Sequence, residues 1–250
     1  MSFSKLFGRI YLAWGGLWFI GSFLLLYPFF VLFIKVKSWQ KFTVPVNKIW
    51  CLLFFPPSFI SIKSDWRFKP NSKELYIYCP NHTSLMDIPV LTKVLPGFIC
   101  FMGKDSLAKL PLFGYMFRNL HITVNRRSAS DRYKSIQLCY DKLEEGRPVV
   151  IFPEGTTNQK QMPSLQPFKD GAFRIAIQKQ LPVVPVTLPF NGIILPDDKS
   201  FTAGFHKAVA VMHEPISTIG MKEADADILR ERVHAIILAE LQAQYKNEKH

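Results

Sequence analysis

The stretch LYIYCPNHTSLMD, residues 75–87, passes from an apolar run through a polar turn into the start of a helix. The residues of the run, LYIYC, are aromatic, β-branched or otherwise apolar, which is typical of a buried strand. Ser84-Leu85-Met86-Asp87 then has the spacing of a capping box, in which the Asp87 carboxylate accepts a hydrogen bond from the Ser84 N–H. The stretch therefore predicts a strand that leads directly into a helix.

The same alternation of strand-like and helix-like runs continues along the rest of the chain. The predicted strands are short, apolar and bounded by Pro, Gly or polar residues, and they cover residues 75–79, 98–102, 120–124, 149–152, 183–188 and 208–212. The predicted helices lie between and after them, at about residues 84–95, 105–118, 129–145, 168–180 and 222–245. This alternation predicts an α/β fold with a mostly parallel sheet flanked by helices.

The first part of the chain is apolar enough to enter a membrane. Residues 10–34 carry no charged side chain, and as a helix they would be about 37 Å long, against about 30 Å for the hydrocarbon core of a bilayer. Basic residues, rather than a small-residue cleavage site, follow this run, so we expect it to be retained and not removed as a signal peptide. A second apolar run, residues 49–62, is broken by Pro56-Pro57 and is too short to span as one helix.

Two arrangements of these apolar runs stay open. Basic residues flank the first run on both sides, so the positive-inside rule sets no orientation. The runs form either a pair of helices that dip into one leaflet and return, or one membrane span followed by a buried core helix. In both cases residues 1–63 are predicted to be a membrane-embedded or re-entrant helical segment, and residues 64–250 an α/β domain.

The charge of the chain indicates an anionic partner. Its 250 residues include 31 Lys and Arg against 19 Asp and Glu, which gives a formal net charge of +12. A basic surface suits nucleic acid, an anionic membrane or a phosphate-bearing substrate, and composition does not separate these three.

The four cysteines, Cys51, Cys79, Cys100 and Cys139, are scattered without the spacing of a zinc site. Each lies in an apolar or amphipathic run, so we expect buried free thiols in a reducing compartment. A nucleophilic pair of Cys79 with His82 is conceivable, but Cys79 falls inside a predicted strand, where thiols are usually inert.

His82 follows the first predicted strand and is the best candidate for a general base, because imidazole titrates near neutrality. Asp87, five residues later, is placed to orient the ring if the chain turns into a helix between them. The alternative is that Ser84 and Asp87 only begin the helix and His82 has no catalytic role. A carboxylate has two oxygens, so both interpretations can hold together.

Three further candidates also follow predicted strands. A tight turn is predicted for Phe152-Pro153-Glu154-Gly155-Thr156-Thr157, with backbone N–H groups that point inward as an anion site. Glu154 is then expected at the mouth of that site. Arg126 and Lys104 are candidates for phosphate contacts, and the alternative for both is an ordinary solvated basic loop. Because parallel sheets place ligands at the carboxyl ends of strands, we expect these residues to lie along one edge with His82.

Three common motifs are absent from the sequence. It contains no G-x-S-x-G elbow, no G-x-x-x-x-G-K-[ST] loop and no G-x-G-x-x-G fingerprint. Their absence counts against an α/β-hydrolase, a P-loop enzyme and a dinucleotide enzyme.

Taken in order, these motifs resemble those of the glycerolipid acyltransferase family, and within it the 1-acyl-sn-glycerol-3-phosphate acyltransferase branch. The residues that carry the resemblance are Asn81-His82-Thr83-Ser84-Leu85-Met86-Asp87 (N-H-x-x-x-x-D), Val124-Asn125-Arg126, Phe152-Pro153-Glu154-Gly155-Thr156 (F-P-E-G-T), Phe168-Lys169 with Gly171-Ala172-Phe173, and Pro182-Val183-Val184-Pro185-Val186. Each motif alone is weak, whereas the ordered set over about residues 75–190 is specific.

The resemblance implies a reaction and a location. A fatty acyl group would pass from acyl-CoA or acyl carrier protein to the sn-2 hydroxyl of lysophosphatidic acid, a membrane lipid, giving phosphatidic acid. His82 and Asp87 would be catalytic, and Arg126, Glu154, Gly155, Thr156 and Lys104 would bind or shape the site of the acceptor. The family needs no metal, no cofactor besides the acyl donor and no nucleic acid. We expect the protein at a membrane, the bacterial inner membrane, with the catalytic domain on the cytoplasmic face.

One departure from the family pattern concerns the acceptor. The family usually follows F-P-E-G-T with arginine, and this chain has Thr157. The acceptor is therefore lysophosphatidic acid or another lyso-lipid. Two functions of other classes stay open: a non-catalytic membrane scaffold that binds acidic lipid, and a thioesterase in which His82 activates water.

Overall fold

The computed structural model describes residues 3–71, 74–124, 129–158, 162–198 and 200–248. The helices are α1 (Phe3–Lys35), α2 (Thr43–Phe54), α3 (Asp87–Val94), α4 (Phe113–Leu120), α5 (Ala129–Glu144), α6 (Gly171–Lys179), α7 (Asn191–Ile194) and α8 (Ala226–Asn247). The strands are β1 (Ile62–Trp66), β2 (Ile77–Pro80), β3 (Cys100–Lys104), β4 (Ile122–Val124), β5 (Val149–Ile151), β6 (Val183–Thr187) and β7 (Ala208–Met212).

The strands form one sheet in the order β1-β7-β6-β2-β5-β3-β4. All neighbours pair in parallel except β6 and β7, which are antiparallel. The predicted α/β fold with a mostly parallel sheet is therefore confirmed, and all six predicted strands are present with shifts of up to two residues at their ends. The strand that the sequence pattern missed is β1, whose sequence IKSDW is mostly polar because it lies at the edge of the sheet.

Successive strand residues point to opposite faces of the sheet, and each face carries its own core. Tyr78 of β2 packs into a cluster with residues of α1, α2, α3 and α4. Its neighbours Ile77 and Cys79 pack into a second cluster with residues of α5, α6 and α8. The N-terminal helices thus cover one face of the sheet, and the long amphipathic C-terminal helix lies on the other.

The two N-terminal helices form an antiparallel hairpin. Trp50 of α2 packs against Phe19 of α1, with ring centroids 4.9 Å apart. Further along, the Tyr11 hydroxyl donates to the Ser58 carbonyl at 2.7 Å, so later residues of the hairpin meet earlier residues of α1. By length and composition α1 is able to cross a membrane, and α2 ends at Phe54, before the proline pair.

Both ends of α1 contact the α/β part of the chain. Near its start, the Ala203 N–H donates to the Gly8 carbonyl at 3.0 Å. Just beyond its end, Lys37 forms an ion pair with Glu145 at 3.3 Å. The hairpin is therefore one layer of the fold and packs along the α/β part. Residues 62 and 63, which the sequence assigned to the N-terminal segment, belong to β1 and hence to the sheet.

Candidate active site

His82 and Asp87 lie in contact where β2 ends and α3 begins. The His82 Nδ1 atom is 2.8 Å from Asp87 Oδ2. The aspartate side chain is fully buried, whereas that of the histidine keeps 15% of its surface exposed. With the ring proton on Nδ1 and donated to the carboxylate, Nε2 is the acceptor of the ring. This is the geometry that a general base requires.

The Asp87 carboxylate accepts four hydrogen bonds. Besides the ring, Oδ2 accepts the Thr83 N–H at 2.9 Å and the Ser84 N–H at 3.0 Å, and Oδ1 accepts the Asn191 side-chain amide at 2.8 Å. Four donors compensate the burial of a charged group. The two sequence interpretations hold together in geometry, because one oxygen bonds both the helix-start N–H and the imidazole.

The backbone and ring of His82 are held by the F-P-E-G-T turn. Its N–H donates to Glu154 Oε1 at 2.7 Å, and its carbonyl accepts the Asn158 N–H at 2.7 Å. The Phe152 ring stacks on the imidazole with centroids 4.1 Å apart. The turn that follows β5 thus fixes the histidine that follows β2, its neighbour in the sheet.

Glu154 lies beneath the site and not at its mouth, where the sequence predicted it. The residue is 2% exposed, and its Oε2 accepts the Gln166 N–H at 3.0 Å. Burial raises the pKa of this carboxyl to about 7, against the opposing effect of the two backbone N–H groups. A P-E-G pattern alone does not say on which side of the turn the carboxylate lies.

A lysine that the sequence analysis gave no role lies beside the turn. Gly155 has a positive φ of 75°, and a Cβ on it would lie 2.9 Å from both Cε and Nζ of Lys169. Lys169 is exposed, and its backbone N–H donates to the Pro153 carbonyl at 2.9 Å. Glycine is therefore favoured here by its backbone angle, and the lysine side chain lies directly against it. The exposed residue Thr156 follows directly.

Lys104 is exposed at the end of β3, on the edge that carries His82 and Glu154. The strands that precede these residues run parallel in the order β2, β5, β3. At about 5 Å between neighbouring strands, the end of β3 lies about 10 Å from the end of β2. The predicted grouping at one edge is thus present for these three residues, whereas Arg126 lies outside the described residues.

A cavity of about 460 Å³ lies between α1, α2, α3 and α4, and Leu85, next to Ser84, is among the residues that line it. Its lining is mostly apolar and includes Ile88, Phe98, Met116 and Phe117. Cavities of a few hundred cubic ångströms with such linings are typical sites for apolar ligands.

The four cysteines are free and buried, as expected. Burial raises the pKa of the Cys79 thiol above its usual range and that of Cys100 to about 11, so neither supplies a thiolate near neutral pH. Among the described residues, no three His, Cys, Asp or Glu side chains come together as a metal site.

Comparisons with known proteins agree with this fold and these motifs. A family model described as Acyltransferase matches residues 64–189. A 1-acyl-sn-glycerol-3-phosphate acyltransferase from Chlamydomonas reinhardtii is 29% identical over 235 residues, 90% of this chain and 70% of that protein. One from Helicobacter pylori (strain J99) is 32% identical over 165 residues, 66% of this chain and 68% of that protein.

The fold also matches a solved structure. The 1-acyl-sn-glycerophosphate acyltransferase PlsC from Thermotoga maritima superposes with a TM-score of 0.72 at 20% identity, over 96% of each chain. The sequence and fold together define the class of the protein, an O-acyltransferase. The chain belongs to the acyltransferase family that includes the 1-acyl-sn-glycerol-3-phosphate acyltransferases.

Proposed function

We propose that the protein transfers a fatty acyl group from acyl-CoA or acyl carrier protein to the sn-2 hydroxyl of lysophosphatidic acid, giving phosphatidic acid. The observation that carries this proposal is the imidazole of His82, which is oriented by the fully buried Asp87 and lies three residues before Leu85 in the lining of an apolar cavity. The names of the similar proteins supply the acceptor and the product.

The chemistry follows from the tautomer of the histidine. His82 Nε2 takes the hydroxyl proton as the lipid oxygen attacks the thioester carbonyl carbon. The C–S bond then breaks, and the leaving thiolate takes the proton from the imidazolium. Asp87 stabilises the imidazolium between these steps, as the carboxylate does in a Ser-His-Asp triad. The alcohol is itself the nucleophile, so the reaction forms no acyl-enzyme.

The acceptor phosphate would lie at the same edge of the sheet. Lys104 and Lys169 are exposed cations there, and Arg126 is the arginine that the resemblance adds. Gly155 and Thr156 belong to the turn between them, and Glu154 holds that turn against the histidine. Lys169 supplies a positive charge near the position where this chain has Thr157 in place of the usual arginine.

The acyl chain of the donor would occupy the cavity of about 460 Å³. Leu85, three residues after the proposed base, lines the cavity, and the lining offers an acyl chain mostly carbon contacts. The net positive charge of the chain suits both the phosphates of CoA and an acidic carrier protein.

The hairpin of α1 and α2 would lie in one leaflet, so that the site meets its lipid from the side. A helix that crosses a bilayer cannot place both of its ends on the same water-exposed domain, and both ends of α1 contact the α/β part. The exposed apolar residues of α1, which include Leu17, Leu25 and Phe29, would face the acyl chains. The free thiols suit the cytoplasmic face of the membrane, and the bacterial inner membrane stays a prediction from resemblance.

The test is an assay of CoA release with and without a panel of lyso-lipids. The wild-type protein should release CoA only when lysophosphatidic acid is present, with formation of phosphatidic acid. His82→Gln should abolish transfer and keep the fold, because Gln has a similar size but no base. His206→Ala, which removes a half-buried histidine paired with Glu248, is the control and should stay active.

Three results would contradict the proposal. Near-normal transfer by His82→Gln would remove the base from the mechanism. CoA release at the same rate without a lyso-lipid would indicate a thioesterase. Binding of lipid without any acyl transfer would indicate a scaffold.

A further inference from the structure

A second apolar cavity, of about 290 Å³, is also lined by Leu85. It lies between α1 and the segment that follows α7, and its lining includes Gly16, Ile60, Leu195 and Ala203. Two of its lining residues carry hydroxyl groups. One of them, the Tyr11 hydroxyl, is bonded to the Ser58 carbonyl. The lining therefore selects an apolar ligand and offers little to a charged one.

A ridge of four residues separates this cavity from the larger one. Leu85 and Pro89 form one side of the ridge, Phe19 and Ile20 of α1 form the other, and all four line both cavities. Leu85 is 55% exposed, although it lies directly after the segment that holds the catalytic pair. The two cavities thus share Leu85, which follows His82 by three residues.

This arrangement matches a reaction that joins two chain-bearing molecules at one histidine. We propose that the smaller cavity binds the acyl chain that the lyso-lipid acceptor already carries. The inference rests on the proposed function, in which the larger cavity takes the chain of the donor. Because the ridge separates the two cavities, each chain has its own site and the hydroxyl and the thioester meet between them.

The exposed face of α1 supports a lipid as the occupant. Ile20 lines the smaller cavity and is 58% exposed, and Leu17, three residues earlier, is 64% exposed. The cavity therefore reaches the apolar surface that the proposed function places in the leaflet. A lyso-lipid that lies in the leaflet can insert its chain sideways without passing through water.

Gly16 allows a direct test of this cavity. A Cβ built on Gly16 meets no atom within 4 Å, so a larger side chain there projects into open space. Gly16→Leu should fill the smaller cavity and also favour the helix. Gly21→Leu is the matched control, because Gly21 lies on the same helix, has the same open space and lines neither cavity.

The experiment measures kcat/KM for lysophosphatidic acids with hexanoyl, dodecanoyl and oleoyl chains, in mixed micelles with one acyl-CoA. Gly16→Leu should lower kcat/KM for the oleoyl acceptor about tenfold or more relative to the hexanoyl acceptor, while the preference among acyl-CoA lengths stays as in the wild type. Val44→Phe narrows the larger cavity. This variant should change the preference among acyl-CoA lengths and keep the wild-type preference among acceptor chain lengths. Gly21→Leu should match the wild type in both series.

Two results would overturn the inference. One is an equal loss for all acceptor chain lengths in Gly16→Leu, and the other is a changed preference for the donor chain in that variant. Neither result would contradict the proposed function, which is tested by whether the wild-type protein acylates lysophosphatidic acid at all.

Discussion

Asp87→Asn tests the carboxylate without removing its hydrogen bonds. The introduced side chain keeps one oxygen, which can still accept the His82 ring N–H and the two backbone N–H groups. Its new NH2 group would face Asn191, whose Oδ1 accepts no hydrogen bond from the described residues. If the Asn191 side-chain amide rotates by half a turn, its oxygen accepts a hydrogen bond from the new NH2 group. The variant should therefore fold with the His82 ring in place and lose only the negative charge of the carboxylate.

The loss of rate follows from the distance between the charges. Two unit charges 2.8 Å apart, as between His82 Nδ1 and Asp87 Oδ2, attract by about 6 kcal/mol at an effective dielectric constant of about 20. If about half of the imidazolium charge has formed in the transition state, the carboxylate contributes about 3 kcal/mol there. Its removal should lower kcat roughly a hundredfold.

The assay compares kcat for acyl transfer with the midpoint of thermal unfolding in the same micelles. Asp87→Asn should lose rate and keep most of its stability. Asp87→Ala is the contrasting variant, because it leaves the Thr83 and Ser84 N–H groups buried without an acceptor, at about 1–3 kcal/mol each, and should unfold at a lower temperature. A folded Asp87→Asn variant with kcat within fivefold of the wild type would refute the role of the charge.

Two further predictions concern the turn beside the histidine. Burial raises the pKa of Glu154 to about 7, whereas the same carboxyl in the unfolded chain titrates near its ordinary value of about 4.3. The unfolded chain therefore releases this proton first as the pH rises, and the free energy of unfolding of the wild type relative to Glu154→Gln should fall by about 3 kcal/mol between about pH 4 and pH 8. If the free energy of unfolding, measured in urea, changed equally with pH in the wild type and in Glu154→Gln, the prediction would be wrong. Lys169→Met should raise KM for lysophosphatidic acid about tenfold with little change in kcat, while the exposed-lysine control Lys63→Met stays normal. If Lys169→Met raised KM equally for 1-acylglycerol, which lacks the phosphate, Lys169 would not bind the acceptor phosphate.

The fold was predictable wherever hydrophobic pattern decides structure. Buried parallel strands such as β5, with the sequence VVI, are apolar on both faces, and this pattern identified them. β1 was missed because an edge strand can be polar. The predicted helix at 105–118 is split into a short 3-10 helix (Asp105–Lys109) and α4, because the chain turns at Leu112 with a φ of 60°. A local apolar pattern contains no information on that turn.

The edge of the sheet that carries the candidate site was predictable from the α/β pattern, but direct contacts between its side chains were predictable only where the residues are close in sequence. His82 and Asp87 are five residues apart, so a helix start brings them together and the pattern shows it. Asn191 bonds the same carboxylate from 104 residues away, and only the assembled sheet places it there. Lys169 reaches the turn for the same reason, although its F-K-x-G-A-F segment was part of the resemblance.

The segment from β6 to β7 connects His82 and Asp87 to the N-terminal hairpin. Asn81, next to the base, bonds Leu188 through both its donor and its acceptor, and the Ser84 hydroxyl donates to the Leu195 carbonyl at 2.6 Å. The same segment continues to Ala203, which bonds the first turns of α1 at Gly8. The turn that holds His82 therefore contacts a segment whose other end is hydrogen-bonded to α1. Under the proposed function, in which α1 lies in the leaflet and His82 is the base, docking of α1 and alignment of the imidazole become parts of one structural unit, which would suit an enzyme that takes its acceptor from the lipid side.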